Sequence, residues 1–189
     1  MEKESLGTKR WVKIACCLLA AVIAQTTLSQ QLKPWLAWID WLLLVTVYVS
    51  LMRDPSLALI TATAAGLLYD ASSGGLALGV NGLAKVLAAF VVYQISSTIV
   101  FEHFVVRLMM VAVASLVDIL TLLAFYRMLK FELPAQLTGT RNILAAILLG
   151  LAVNLIVSLP LFPLLDRIFR LGFSRRARRS EAMRMRRRW

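Results

Sequence analysis

Six apolar segments separated by short polar breaks run along the chain. The first extends from about Val12 to Leu32 and ends at Lys33-Pro34, where Trp35 and Trp38 suit an interfacial aromatic belt. The second covers about Leu36 to Met52 and stops at Arg53-Asp54-Pro55. Pro55 fits the first turn of the third segment, Ser56 to Tyr69, because its missing N–H would have no helical partner there. Ala, Thr and Gly fill that third segment, and small residues let helix backbones approach closely, so it is expected to be central rather than lipid-exposed. A Gly- and Ser-rich break spans Asp70 to Gly79. The fourth segment runs from about Val80 to Val100, the fifth from Phe104 to Tyr126, and a polar connection from Arg127 to Arg141 precedes the last. That sixth segment covers Asn142 to about Leu165, with Pro160 and Pro163 expected to kink its final turns.

Segments of this length match the roughly 20 residues that cross a bilayer as a helix. The pattern predicts an all-α, polytopic membrane bundle of about six transmembrane helices over residues 1–166, followed by a basic tail over residues 167–189. Composition agrees: 60% of the 189 residues are hydrophobic, 16% are charged, and mean hydropathy is +0.77. Soluble domains are less apolar and carry about a quarter charged residues, and disordered chains are less apolar still.

The net charge of +11 adds a direction. With the N-terminus inside, Lys3, Lys9, Arg10, Lys13, Arg53, Arg107 and ten arginines after Leu165 give 16 basic residues on the cytoplasmic side. Lys33, Lys85, Arg127, Lys130 and Arg141 give 5 on the other. The positive-inside rule therefore predicts a multi-pass membrane protein with both termini cytoplasmic. Its arginine tail is expected to lie against anionic membrane lipids rather than to bind nucleic acid. Cys16 and Cys17 are adjacent inside an apolar run, which gives no disulfide framework and no zinc spacing. No nucleophile elbow, metalloprotease helix, phosphate loop or dinucleotide fingerprint occurs, so neither an enzyme nor a cofactor or metal site is expected.

The polar residues inside the apolar segments carry the remaining signal. At about 1.5 Å of rise per residue, Asp40 lies roughly 8 Å into the second span and Asp118 about 21 Å up the fifth. Asp70 closes the third span, and Asn81 and Lys85 stand one turn apart at the start of the fourth. All four ionisable groups fall in the outer half of the bilayer, where such residues usually face the bundle interior and pair. Asp70 and Lys85 also admit a plainer reading as helix-end residues whose charges reach the interface. Asn154, in the inner third of the last span, reads as interhelical hydrogen-bond glue.

The run from Pro34 to Pro55, with Asp40 leading the apolar Trp41 to Leu51, resembles the second span of the MreD rod-shape proteins. Gly66-Leu67-Leu68-Tyr69-Asp70, followed by Gly74, Gly79 and Asn81, resembles that family's most recognisable motif. The resemblance implies a non-enzymatic inner-membrane scaffold of the bacterial elongation machinery. MreC is the implied direct partner, and the MreB filament, the RodA glycosyltransferase and the elongation transpeptidase are reached directly or through it. Proteins of this family also look similar in fold to the substrate-binding subunits of energy-coupling-factor transporters. The alternative is therefore a small-molecule transport component whose outer polar cluster lines a pocket.

Overall fold

The computed structural model describes residues 2–31, 38–73, 79–98, 104–129 and 143–169. Among these there are six helices and no strand. They are α1 (Glu2–Gln31), α2 (Trp41–Ser50), α3 (Pro55–Ser73), α4 (Val80–Thr98), α5 (Phe104–Met128) and α6 (Ile143–Phe169). Helices are the expected solution, because within lipid every backbone N–H and C=O must find a partner inside its own segment. Segments of α1, α4, α5 and α6 are long and apolar enough to cross a membrane: Arg10–Thr27, Val80–Thr98, Phe104–Met128 and Ile147–Phe169.

The second helix departs most from expectation. It has ten residues, about 15 Å of rise, so by itself it crosses about half of a bilayer core. Trp38, Ile39 and Asp40 precede it outside the α-helix, and residues 32–37 lie outside the described chain. Every residue from Leu42 to Ser50 is buried, as suits a helix that is apolar all round. Thr46 and Ser50 return their hydroxyls to the carbonyls of Leu42 and Thr46, at 2.8 and 2.9 Å, and so hide their polarity. The central helix is therefore α2, whereas α3 exposes Ile60 and Leu67 on one face and buries Ala58, Ala62 and Ala65 on another. Small residues in α3 serve close pairing with a neighbour and do not make it central.

That pairing is with α4, the most extensive helix contact in the bundle. A Cβ on Gly66 would overlap Gly82 Cα and stand 2.6 Å from Gly82 N and 2.8 Å from Asn81 O. The two backbones touch there, and only glycine fits. Between α2 and α3 the turn places Arg53 at φ 62°, and Asp54 Oδ1 accepts from Leu57 N at 3.3 Å. Pro55 is the first residue of α3, as its ring geometry predicts.

At the far end of the chain, α6 runs four residues past the expected limit at Leu165 and passes through Pro160 and Pro163 without ending. Prolines are tolerated in membrane helices because neighbouring hydroxyls and helices satisfy the freed backbone groups. Phe162 and Phe169 pack on Tyr48 of α2, with ring centroids 5.8 and 5.6 Å apart. Lys13 Nζ of α1 donates to Ile168 O at 3.0 Å. The arginine tail beyond Phe169 lies outside the described residues. The outer surfaces of α1, α5 and α6 are apolar, with Leu19, Ile23, Val105, Met109, Leu148 and Ile156 all exposed.

Candidate functional site

Lys85 organises the polar interior. It sits in the second turn of α4, is 0% exposed, and its Nζ lies 2.5 Å from Asp40 Oδ2 and 3.7 Å from Asp118 Oδ1 of α5. The ammonium also lies 4.6 Å from the ring centroid of Tyr69 in α3, a cation–π contact. Complete burial removes the reading in which Lys85 reaches the interface. Three elements thus converge on one charge, which is how a lysine is retained in a hydrocarbon layer.

Asp40 does not lie inside a helix. It is the N-cap of α2, with Oδ1 accepting from Leu43 N at 2.8 Å while Oδ2 takes the lysine. A capping carboxylate satisfies one orphan N–H and meets the positive end of the helix dipole. The backbone N–H of Asp40 donates to Asn154 Oδ1 of α6 at 3.0 Å, and Asn154 Nδ2 donates to Ser115 Oγ of α5 at 3.3 Å. Asn154 therefore stands level with Asp40 and not in the inner third of its span, and it joins α6 and α5 to the start of α2. Gln25 of α1 completes the ring, its Oε1 accepting from Trp41 N at 3.1 Å. All six helices contribute to this layer.

Asp70 makes an adjoining station. It lies within α3, which continues to Ser73, and is 4% exposed, so it neither closes the helix nor reaches the surface. Its Oδ2 accepts from Gly79 N at 2.7 Å and its Oδ1 from Asn81 Nδ2 at 2.6 Å. Gly79 has φ 97°, and its carbonyl accepts from Leu83 N at 2.9 Å, so the glycine bends the chain into α4. The Asp70 carboxylate thereby sits at the N-terminus of α4, a favourable place for negative charge. Gly66 sets the distance at which this pairing occurs. Gly74 lies outside the described residues.

A second polar cluster occupies the other end of α2. Arg107 Nη1 of α5 lies 2.8 Å from Asp166 Oδ2 of α6, and Tyr48 donates its hydroxyl to Asp166 Oδ1 at 2.9 Å. Sequence reasoning used Arg107 only to count charge and missed this pairing. Arg107 stood inside the fifth apolar segment and needed a partner for the same reason as Lys85, but Asp166 fell just past the expected end of the sixth at Leu165, so half of the signal was hidden. Tyr69, Gln25 and Ser115 were missed as members of the first cluster because uncharged polar residues are common in helices. Among the described residues, no group of three or more His, Cys, Asp or Glu side chains is arranged to hold a metal ion.

A helical bundle with four apolar crossing helices and a buried charge layer defines a multi-pass membrane protein. The family model described as rod shape-determining protein MreD matches residues 7–169, which is most of the chain. The chain belongs to the MreD family, a family of structural, shape-determining membrane proteins. No curated protein and no solved structure matches it. The expected likeness in fold to substrate-binding subunits of energy-coupling-factor transporters is thus not confirmed by any solved structure.

Proposed function

We propose that this protein is a non-enzymatic scaffold of the bacterial elongation complex, seated in the inner membrane with both termini cytoplasmic. In this role it binds MreC and, directly or through it, helps couple MreB filaments to RodA and the elongation transpeptidase. Membership of the MreD family carries the reading. The geometry supports it in two ways. The buried charge layer engages all six helices and suits a stiff frame, and the apolar outer surfaces of α1, α5 and α6 suit packing against a partner's transmembrane helix. Lys85 is fully buried, and Asp70 and Asp118 are each 4% exposed, so a small molecule would have to displace contacts these side chains already make. That favours a frame over a transport pocket. The arginines of the tail fit attachment to anionic lipid on the cytoplasmic side.

Co-isolation of the tagged full chain from its native membrane in mild detergent, with mass spectrometry of what stays bound, tests the proposal. Recovery of a bitopic coiled-coil protein together with cell-wall synthases is the expected result. Recovery of an ATPase pair with a membrane coupling subunit would overturn it in favour of a transporter.

A further inference from the structure

The seam between α5 and α6 is tied at two levels and open between them. Ser115 and Asn154 join the helices at one level, and Arg107 and Asp166 at the other. Residue numbers rise along α5 as they fall along α6, so the helices run antiparallel, and by helix rise the two levels stand about 12–18 Å apart. Between them lies a groove of about 280 Å³ lined only by apolar side chains, among them Val105, Met109 and Ala112 of α5 and Leu155, Ile156 and Leu159 of α6. The ties fix the spacing of the helices, and Ala112, the smallest residue of the lining, leaves the space between them unfilled.

The size of the groove selects its occupant. A helix about 10 Å across takes up roughly 1,000 Å³ over that length, several times the space available. A single hydrocarbon chain fits lengthwise and restores the dispersion contacts that an empty groove forfeits. One end of the groove adds charge. Its Arg107–Asp166 level faces the C-terminus of α6, where Arg167 follows Ile156 by eleven residues, three turns, and so lies on the same face of the helix. Arg167 is exposed and makes no hydrogen bond or ion pair with a described residue. The acidic residues of α5 and α6 are both engaged elsewhere, Asp166 with Arg107 and Tyr48, and Asp118 beside Lys85. Lys13 is engaged by Ile168 O, and Arg170, Arg175 and Arg176 follow in sequence. The uncompensated charge at this mouth is therefore positive, and it complements an anion.

We propose that the α5–α6 groove is a binding site for one anionic phospholipid of the leaflet next to the α6 C-terminus, with an acyl chain along the groove and the phosphate on Arg167. This goes beyond a general attraction between the arginine tail and anionic lipid, because the chain holds one molecule in one place. A zwitterionic lipid offers the same chain, but its own cation offsets the phosphate charge, so headgroup preference is part of the site. The inference rests on the chain crossing a membrane and does not depend on any protein partner.

Photo-crosslinking tests it, with the purified full chain in phosphatidylcholine nanodiscs that contain a small fraction of phosphatidylglycerol carrying a diazirine in its acyl chain. Peptide mapping is expected to find the label on residues 105–112 and 155–159 in preference to the equally exposed Leu19 and Ile23 of α1. Unlabelled phosphatidylglycerol should compete, and phosphatidylcholine should not. Arg167→Gln should lower groove labelling about fivefold, which is what one basic residue contributes near an anionic surface. Ala112→Phe, which fills the groove, should abolish it; if that variant does not fold, Arg167→Gln, exposed at the end of α6, still decides. Label spread evenly over α1, α5 and α6 would mean that lipid acts there only as solvent and would overturn the proposal. Groove labelling indifferent to headgroup and to Arg167→Gln would overturn it equally, as would crosslinks between two copies of the chain through the groove in place of lipid.

Discussion

Replacing Lys85 by Met is the most direct probe of the charge layer. Methionine is unbranched and similar in length to lysine, so the change removes charge with little change in packing. It strips the ammonium from Asp40 at 2.5 Å, from Asp118 at 3.7 Å and from the Tyr69 ring at 4.6 Å. Breaking a buried ion pair by removing one partner costs about 3–5 kcal/mol, because the other charge is left without compensation. The lysine is 0% exposed and Asp40 17%, so solvent relieves little of that cost. A loss of about 3 kcal/mol is expected in sodium dodecyl sulfate unfolding from mixed micelles, followed by tryptophan fluorescence. Adding Asp40→Asn should recover most of it, to within about 1 kcal/mol of wild type, since replacing both members of a buried pair is often close to neutral. A Lys85→Met protein within about 0.5 kcal/mol of wild type would refute the idea that this charge layer holds the bundle together.

The remaining predictions separate backbone geometry from charge. Gly66→Ala should destabilise by about 3 kcal/mol, the upper end for overpacking, since its Cβ meets α4 backbone at 2.6 and 2.8 Å that cannot swing aside. Gly82→Ala, whose Cβ finds nothing nearer than 4.0 Å, should lie within about 0.5 kcal/mol of wild type in the same unfolding assay. Gly79→Ala should cost about 1–2 kcal/mol through its φ of 97° alone, visible as a lowered melting temperature of the full chain. In the second cluster, Arg107→Met should cost more than Tyr48→Phe, which removes one hydrogen bond worth about 1 kcal/mol. Equal effects would mean that Arg107 holds Asp166 no more strongly than one neutral hydrogen bond does.

Much of this was readable from residue type and spacing. Polar residues are so costly in hydrocarbon that Asp40, Lys85 and Asp118, assigned to one half of the bilayer, had reason to meet, and the structure brings them together. Pro55 marked the start of α3 because proline has few other places in a helix. What escaped was placement along and around the helices. A mostly apolar run from Leu36 to Met52 looks like a full span, yet Asp40 within it draws the backbone into a cap and α2 begins one residue later. Small residues marked α3 for close packing without saying that one face would point outward. The Arg107–Asp166 pair joins residues 59 positions apart, and nothing local to either connects them.

The two clusters together account for something apolar packing cannot do in a membrane. A buried helix among lipid-like side chains gains little from the hydrophobic effect and could slide along its axis at small cost. The central helix α2 is of this kind along its middle, with every residue from Leu42 to Ser50 buried and the Thr46 and Ser50 hydroxyls returned to carbonyls of the same helix. Its axial position is set at both ends by directional contacts instead. Asp40 fixes one end to Lys85 of α4 and, through its backbone N–H, to Asn154 of α6. Tyr48, about 12 Å further along, fixes the other to Asp166 of α6, itself paired with Arg107 of α5. Sliding α2 by one residue would break both sets at once, a cost that no rearrangement of apolar contacts could offset. Buried polar groups retained for register are well attested in helical assemblies, and here they coexist with outer faces of α1, α5 and α6 that expose mainly large apolar side chains.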